Sequence, residues 1–237
     1  MRALCAGILA FAAWAAGTAA QSVEDYDACI ALVATDPEAA VRDAGEWSRY
    51  GGGAPARHCY ALSLIEIGAP LRAADELIGI AVEEADLSNP ARADILVQAG
   101  ELLVDRDDTV TAAVVAAQAR QLDPQNPGAM GLSAAVSLAN GDVRAALTDL
   151  DRALAIKRDG LSLLLRRASA HRRLGNGVAA RDDASYATEL QPREPSAWLE
   201  RGRAEAMLDD KVSARTSFIK AVGLDRDGKI GRAAQLA

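Results

Sequence analysis

Histidine is almost missing from this chain, with only His58 and His171 in 237 residues. They stand far apart, and neither has cysteine or carboxylate neighbours at the spacing of a metal site. His58 beside Cys59 makes no reactive thiol, which needs closely spaced cysteines or an electropositive setting. No serine stands in a Gly-x-Ser-x-Gly elbow. The glycine run Gly51-Gly52-Gly53 lacks the Lys-Ser/Thr that completes a phosphate loop, and no strand precedes it. The aspartate pairs 107/108, 182/183 and 209/210 fall at turns or on polar faces, where solvated caps are the ordinary reading. With no catalytic set, metal set or cofactor loop, the chain is expected not to be an enzyme and to need no cofactor.

Lysine is scarce too, with four against twenty-two arginines. Arg-heavy, Lys-poor, Ala-rich usage points to a bacterial source. Long apolar runs are missing beyond the first twenty residues. Val110 to Ala119 comes nearest, and Asp107, Asp108 and Arg120 bracket it, so no later span crosses a membrane. Residues 1–20 differ: Arg2 is their only charge, Leu4 to Ala16 is apolar, and Gly17-Thr18-Ala19-Ala20 supplies small residues. This is the pattern of a secretory signal peptide cleaved after Ala20, which makes the periplasm the expected compartment. The alternative is an uncleaved anchor in the inner membrane, for which the apolar run is short. Cys5 stands at the head of that run and not after it, which excludes a lipoprotein signal. Without the leader, 25 basic and 33 acidic side chains remain, a net charge of −8. That balance argues against nucleic-acid or anionic-lipid partners.

What the chain has is a period. Ala112, Ala146, Ala180 and Ala214 lie 34 apart, as do Ala119, Ala153, Ala187 and Ala221. A tiny column, Gly100, Ala134, Ala168 and Gly202, and a large apolar one, Leu96, Met130, Leu164 and Trp198, keep the same step. Within one unit, Asn126-Pro127 reads as an N-cap and first-turn proline, and Asn140-Gly141 as a stop. A second helix follows over about Asp142–Lys157, with Ala145, Ala146, Leu150, Ala153 and Leu154 on one face. The small columns let helices approach closely, and one such hairpin cannot bury its face alone, so neighbours must stack.

The unit resembles the tetratricopeptide repeat, a 34-residue helix–turn–helix with Trp, Leu-Gly, Tyr, Ala, Phe, Ala and Pro at fixed offsets. The unit from Pro195 matches best, through Trp198, Gly202, Ala214, Phe218 and Ala221. Pro124 and Pro192 close the Leu-Asp-Pro and Leu-Gln-Pro endings. His171 and Glu205 stand where the family has tyrosine, and Arg158 and Arg226 replace the closing proline. The resemblance implies an all-α, right-handed superhelical solenoid of antiparallel helix pairs, with about five repeats plus caps. Residues 93–228 hold four repeats, 21–92 a divergent N-terminal section, and 229–237 a capping helix carrying Ile230, Ala233 and Leu236. His171 is expected as a satisfied, half-buried imidazole between helices.

The N-terminal section reads as a repeat and a half. Asp25–Ala34 resembles the second half of a unit, Pro37–Tyr50 is a helix stopped by the glycine run, and Ala54–Ile67 and Pro70–Glu84 form a hairpin. About five extra residues then shift the phase. After the leader two cysteines remain, Cys29 and Cys59, and an even count in an oxidising compartment favours a disulfide. They lie on the first and third helices, which neighbour each other in such stacks. The bond would close a loop worth ~3.5 kcal/mol by chain entropy.

In the family the first helix of each unit lines a concave groove that holds an extended peptide or a partner helix. Carried over by phase, that groove includes Val97, Glu101, Gly131, Ala135, Leu138, Leu165, Ser169, Arg172, Leu199 and Arg203. Arg166, Arg167 and Arg173 lie close by, which makes the C-terminal half basic. Such a groove suits an apolar segment with an acidic end. The competing reading is a solvated face in which the arginines pair with Asp182, Asp183 or Glu189. The Lys/Asn clamp for chaperone C-termini is absent, since His58, Val97, Gly131, Leu165 and Leu199 occupy its positions. The expected function is a protein-binding adaptor of the envelope. The alternative is a structural subunit acting by self-association.

Overall fold

A computed structural model of the protein describes residues 25–237; the leader expected over residues 1–20 lies outside them. The described residues form thirteen helices and no strand. They are α1 (Tyr26–Thr35), α2 (Pro37–Arg49), α3 (Gly53–Glu66), α4 (Pro70–Glu83), α5 (Asn89–Val104), α6 (Thr109–Leu122) and α7 (Pro127–Ala139). Then come α8 (Val143–Ile156), α9 (Leu161–Arg173), α10 (Gly177–Leu190), α11 (Pro195–Met207), α12 (Lys211–Leu224) and α13 (Lys229–Gln235). Each helix packs antiparallel on the next, and odd helices also meet odd helices, so the chain is a two-row solenoid.

The turn inside each unit repeats as faithfully as the helices. Asp107, Gly141, Gly175 and Asp209, 34 apart, all take left-handed backbone angles, with φ of 61°, 87°, 83° and 59°. The following residue donates its amide back five residues, Asp108 to Leu103, Asp142 to Ser137, Asn176 to His171 and Asp210 to Glu205. That bond closes the first helix. Asp108, Asp142 and Asp210 then cap the second by accepting from Thr111, Ala145 and Ser213. One residue bends the chain, the next ends one helix and starts another.

The tiny column works as expected. The space of a Cβ on Gly100 is filled by Leu132, and the ring of Phe218 comes within 2.6 Å of that on Gly202. The two alanine columns are buried, from Ala112 to Ala214 and from Ala119 to Ala221.

Two N-terminal expectations are corrected. α1 packs on α3 as well as α2, in the odd row, so it is the first helix of a hairpin and not the second half of a unit. Asp36-Pro37 resembles a repeat ending, but there Asp36 alone links α1 to α2 and caps it on Ala39. The N-terminal section is therefore two hairpins. The odd row thins between α3 and α5, where residues 84–88 break the phase. Cys29 on α1 and Cys59 on α3 are wholly buried with sulfurs in bonding contact and Cα atoms 6.3 Å apart.

Candidate binding groove

The groove-side residues sit on the odd row. Val97 and Glu101 lie on α5, Leu138 on α7, Leu165, Ser169 and Arg172 on α9, and Arg203 on α11, all half-buried; Arg173 is exposed. Gly131, Ala135 and Leu199 fall in the same columns but are buried, so they form the floor and do not line the surface. The reason at Gly131 is local: Leu163 of α9 fills the place of its Cβ, and the Arg166 guanidinium passes 3.7 Å from it.

Arg166 ends on Glu101 of α5, two units back, with Nη1 2.9 Å from Oε1 and Nη2 bonded to Oε2. The two-pronged geometry is the strong form of this pair. It straps three odd helices together over the glycine of the middle one. Beside the strap, a cleft of about 810 Å³ opens among Asp94, Val97, Glu101, Gly128, Leu161 and Arg166. Its wall is fixed by Asn126, which donates to Asp94 at 2.7 Å and caps Ala129 at 3.0 Å.

Further along, Glu200 of α11 accepts from Arg203 at 2.6 Å and from Arg172 of α9 at 3.4 Å. Two guanidiniums thus share one carboxylate. Arg173 donates to the carbonyl of Leu138 at 2.7 Å, in the last turn of α7, where a cation suits the free carbonyls. Arg167, expected near the groove, turns away instead. It grips Asp183 at 2.7 and 2.8 Å and Asp151 at 2.9 Å, joining α8, α9 and α10. The bond to Asp183 holds its pKa above the usual guanidinium value, with burial opposing. Asp183 is correspondingly buried and is no solvated cap.

At the N-terminal end the row carries polar links. The Tyr26 phenol of α1 lies 2.7 Å from His58 Nδ1, and His58 Nε2 lies 2.9 Å from Gln98 Oε1 of α5. Burial, then the charge of Asp27, push the Tyr26 phenol up. The Gln98 Oε1 can only accept, so Nε2 donates to it and Nδ1 accepts from the phenol. His58 therefore joins α1, α3 and α5 where the row thins. His171 departs from expectation: its Nδ1 is buried without a hydrogen-bond partner. Glu205, in the same column, is satisfied by Arg201 and by the Ser217 hydroxyl at 2.8 and 2.7 Å. Among the described residues no group of His, Cys, Asp or Glu could hold a metal ion, and no helix is long and apolar enough to cross a membrane.

No family model and no curated protein matches the sequence. Solved structures do match. The APC/C hetero-tetramer Cut9-Hcn1 aligns over 88% of this chain with a TM-score of 0.74 and 13% identity, and this chain covers 41% of that one. MamA 41-end from Desulfovibrio magneticus RS-1 aligns over 73% of this chain and 95% of its own, with a TM-score of 0.55 and 21% identity. YrrB, a TPR protein with an unusual peptide-binding site, aligns over 83% of this chain and 100% of its own, with a TM-score of 0.50 and 15% identity. This is the tetratricopeptide-repeat fold.

In TPR terms the odd helices are the first helices of the units, and the strap and the shared Glu200 both lie on their row. Neither was read from the sequence. Arg166 and Glu101 are 65 residues apart, three short of two full periods, and Gly131 lies on the first helix of the unit between them. An opposite-charge pair two units apart over a glycine is the signal that would have found it. Glu200 carries a similar one, since Arg203 is one helical turn on and Arg172 is in the unit before.

Proposed function

We propose that this TPR chain is a non-enzymatic periplasmic adaptor that holds a peptide or partner helix along its odd row. The observation that carries this reading is the sharing of Glu200 by Arg172 and Arg203. One carboxylate against two guanidiniums leaves a positive charge over, and Arg173 adds another beside it. Leu165, Ser169 and Val97 continue the row away from these cations. A segment with an apolar stretch followed by an acidic end fits that order, because its carboxylate can take up the guanidinium donors that Glu200 cannot serve. Export fits the leader pattern of residues 1–20. In an oxidising compartment Cys29 and Cys59 would be covalently paired.

The test is affinity capture from envelope extract with residues 21–237 beside an R172E/R173E/R203E variant. The adaptor reading expects a partner held by the native chain and lost by the variant. A partner held equally by both would move the site off the odd row.

A further inference from the structure

The odd helices α5, α7, α9 and α11 run 13 to 16 residues, but α13 runs 7. An odd helix of full length covers the even helix before it; α13 covers only part of α12. The uncovered part shows in the repeat columns. Ala116, Leu150 and Ala184 are buried, while Phe218 in their column is half-buried. Leu154 and Thr188 are buried, while Val222 in theirs is half-buried. Ile219 stands 62% exposed next to them. The result is an apolar cleft of about 530 Å³ on α12, with Phe218, Ile219 and Val222 inside and Lys211 and Arg215 at its edge.

The other end of the solenoid is complementary. α1 is apolar on nearly all sides, and its exposed face carries only Asp27, Ala28, Ala31, Ala34 and Thr35. Every later odd helix packs on an even helix before it, and among the described residues α1 has none. Charge separates the ends as well. Residues 25–88 carry twelve Asp and Glu against four Arg, whereas residues 193–237 carry nine Lys and Arg against seven Asp and Glu.

We propose that the α12 cleft docks the α1 end of a second copy, so that copies join head to tail and the even-to-odd contact of the repeats runs across the junction. Lys211 lies 3.2 Å from Asp209 while Arg215 has no acidic partner among the described residues, so two C-terminal faces would bring these cations near their own kind. The acidic N-terminal hairpins meet them instead, and small residues on α1 let the helices approach closely. This contact is heterologous, so each copy keeps one free end and the series grows with concentration. It does not depend on the odd-row groove.

Ile219 and Ala31 are exposed, so I219E blocks one end and A31R the other without disturbing the core. Circular dichroism and thermal unfolding verify that each variant stays folded. Sedimentation velocity on residues 21–237, up to roughly 100 µM, reads the association. The native chain should form a concentration-dependent series. Each variant alone should lose the series, its dissociation constant rising tenfold or more by roughly the 1.4 kcal/mol per decade of binding. Mixed in equal amounts, the two variants should associate again, because each pair keeps one junction with both faces native. A monomeric native chain, variants that still associate, or a mixture that stays monomeric would each overturn the proposal. A symmetric dimer lost in I219E and kept in A31R would show C-terminal faces meeting, which also overturns it.

Discussion

Arg166 of α9 crosses Gly131 of α7 to grip Glu101 of α5. The contact skips a whole unit, and Gly131, which has no side chain, leaves the Arg166 guanidinium room to pass. It fixes the spacing of three odd helices beside the cleft that the proposed partner would enter.

Gly131 and Arg166 should therefore respond differently to substitution. In Gly131→Ala the new methyl runs into Leu163, a buried side chain that must shift, at a cost of about 1–3 kcal/mol. Arg166→Gln removes a partly exposed pair and should cost less than about 1 kcal/mol. Urea denaturation midpoints of the two variants check this ordering.

The turn column makes a sharper contrast. Gly141 sits at φ 87°, so Gly141→Ala should destabilise by about 1 kcal/mol. Gly45 lies within α2 with ordinary φ and its nearest neighbour 3.6 Å from a new Cβ, so Gly45→Ala should stabilise by roughly 0.5–1 kcal/mol. Opposite shifts in melting temperature are the expected outcome.

Loss of the Cys29–Cys59 link should be felt at one end. The cysteines are 30 residues apart, and a loop of that length is worth about 3.5 kcal/mol. In a C29A/C59A variant, amide exchange should quicken first in α1 and α2, while α5 to α12 keep their protection. Uniform quickening would contradict the local role.

Acid should release a cap. The Ser213 hydroxyl and amide hold the Asp210 carboxyl below the usual carboxylate range. A depressed pKa contributes stability above the unfolded-state value, and that contribution is lost as pH falls through the folded-state value. Asp210→Asn keeps an acceptor at every pH, so its stability should fall less than the native chain's on going from neutral to acid. Melting curves across that range measure the difference.

Much of this was legible in the sequence because a 34-residue step forces equivalent residues into equivalent places. Leu-Gly-type tiny positions, Asn126-Pro127 and the Asp or Asn after each turn mark helices and ends without reference to any partner. The limits have equally local causes. α1 looked like half a unit because Asp36-Pro37 copies a repeat ending, and only its contact with α3 shows the row. Arg167 looked like a groove cation because a helix position does not say which way a long side chain leans; Asp183 and Asp151 pull it to the other side. His171 looked satisfied because its column is interior, but no donor or acceptor reaches Nδ1. Glu205, its equivalent, found Arg201 and Ser217.

The central claim, that the odd row is where a partner binds, is tested most directly by photo-crosslinking from Ser169 in whole envelopes. Thr216, exposed on α12, serves as the control position. An adduct is expected from Ser169 that R172E/R203E abolishes, and none of the same mass from Thr216. An adduct that forms from Thr216 and not from Ser169, or one that ignores the arginine changes, would contradict it.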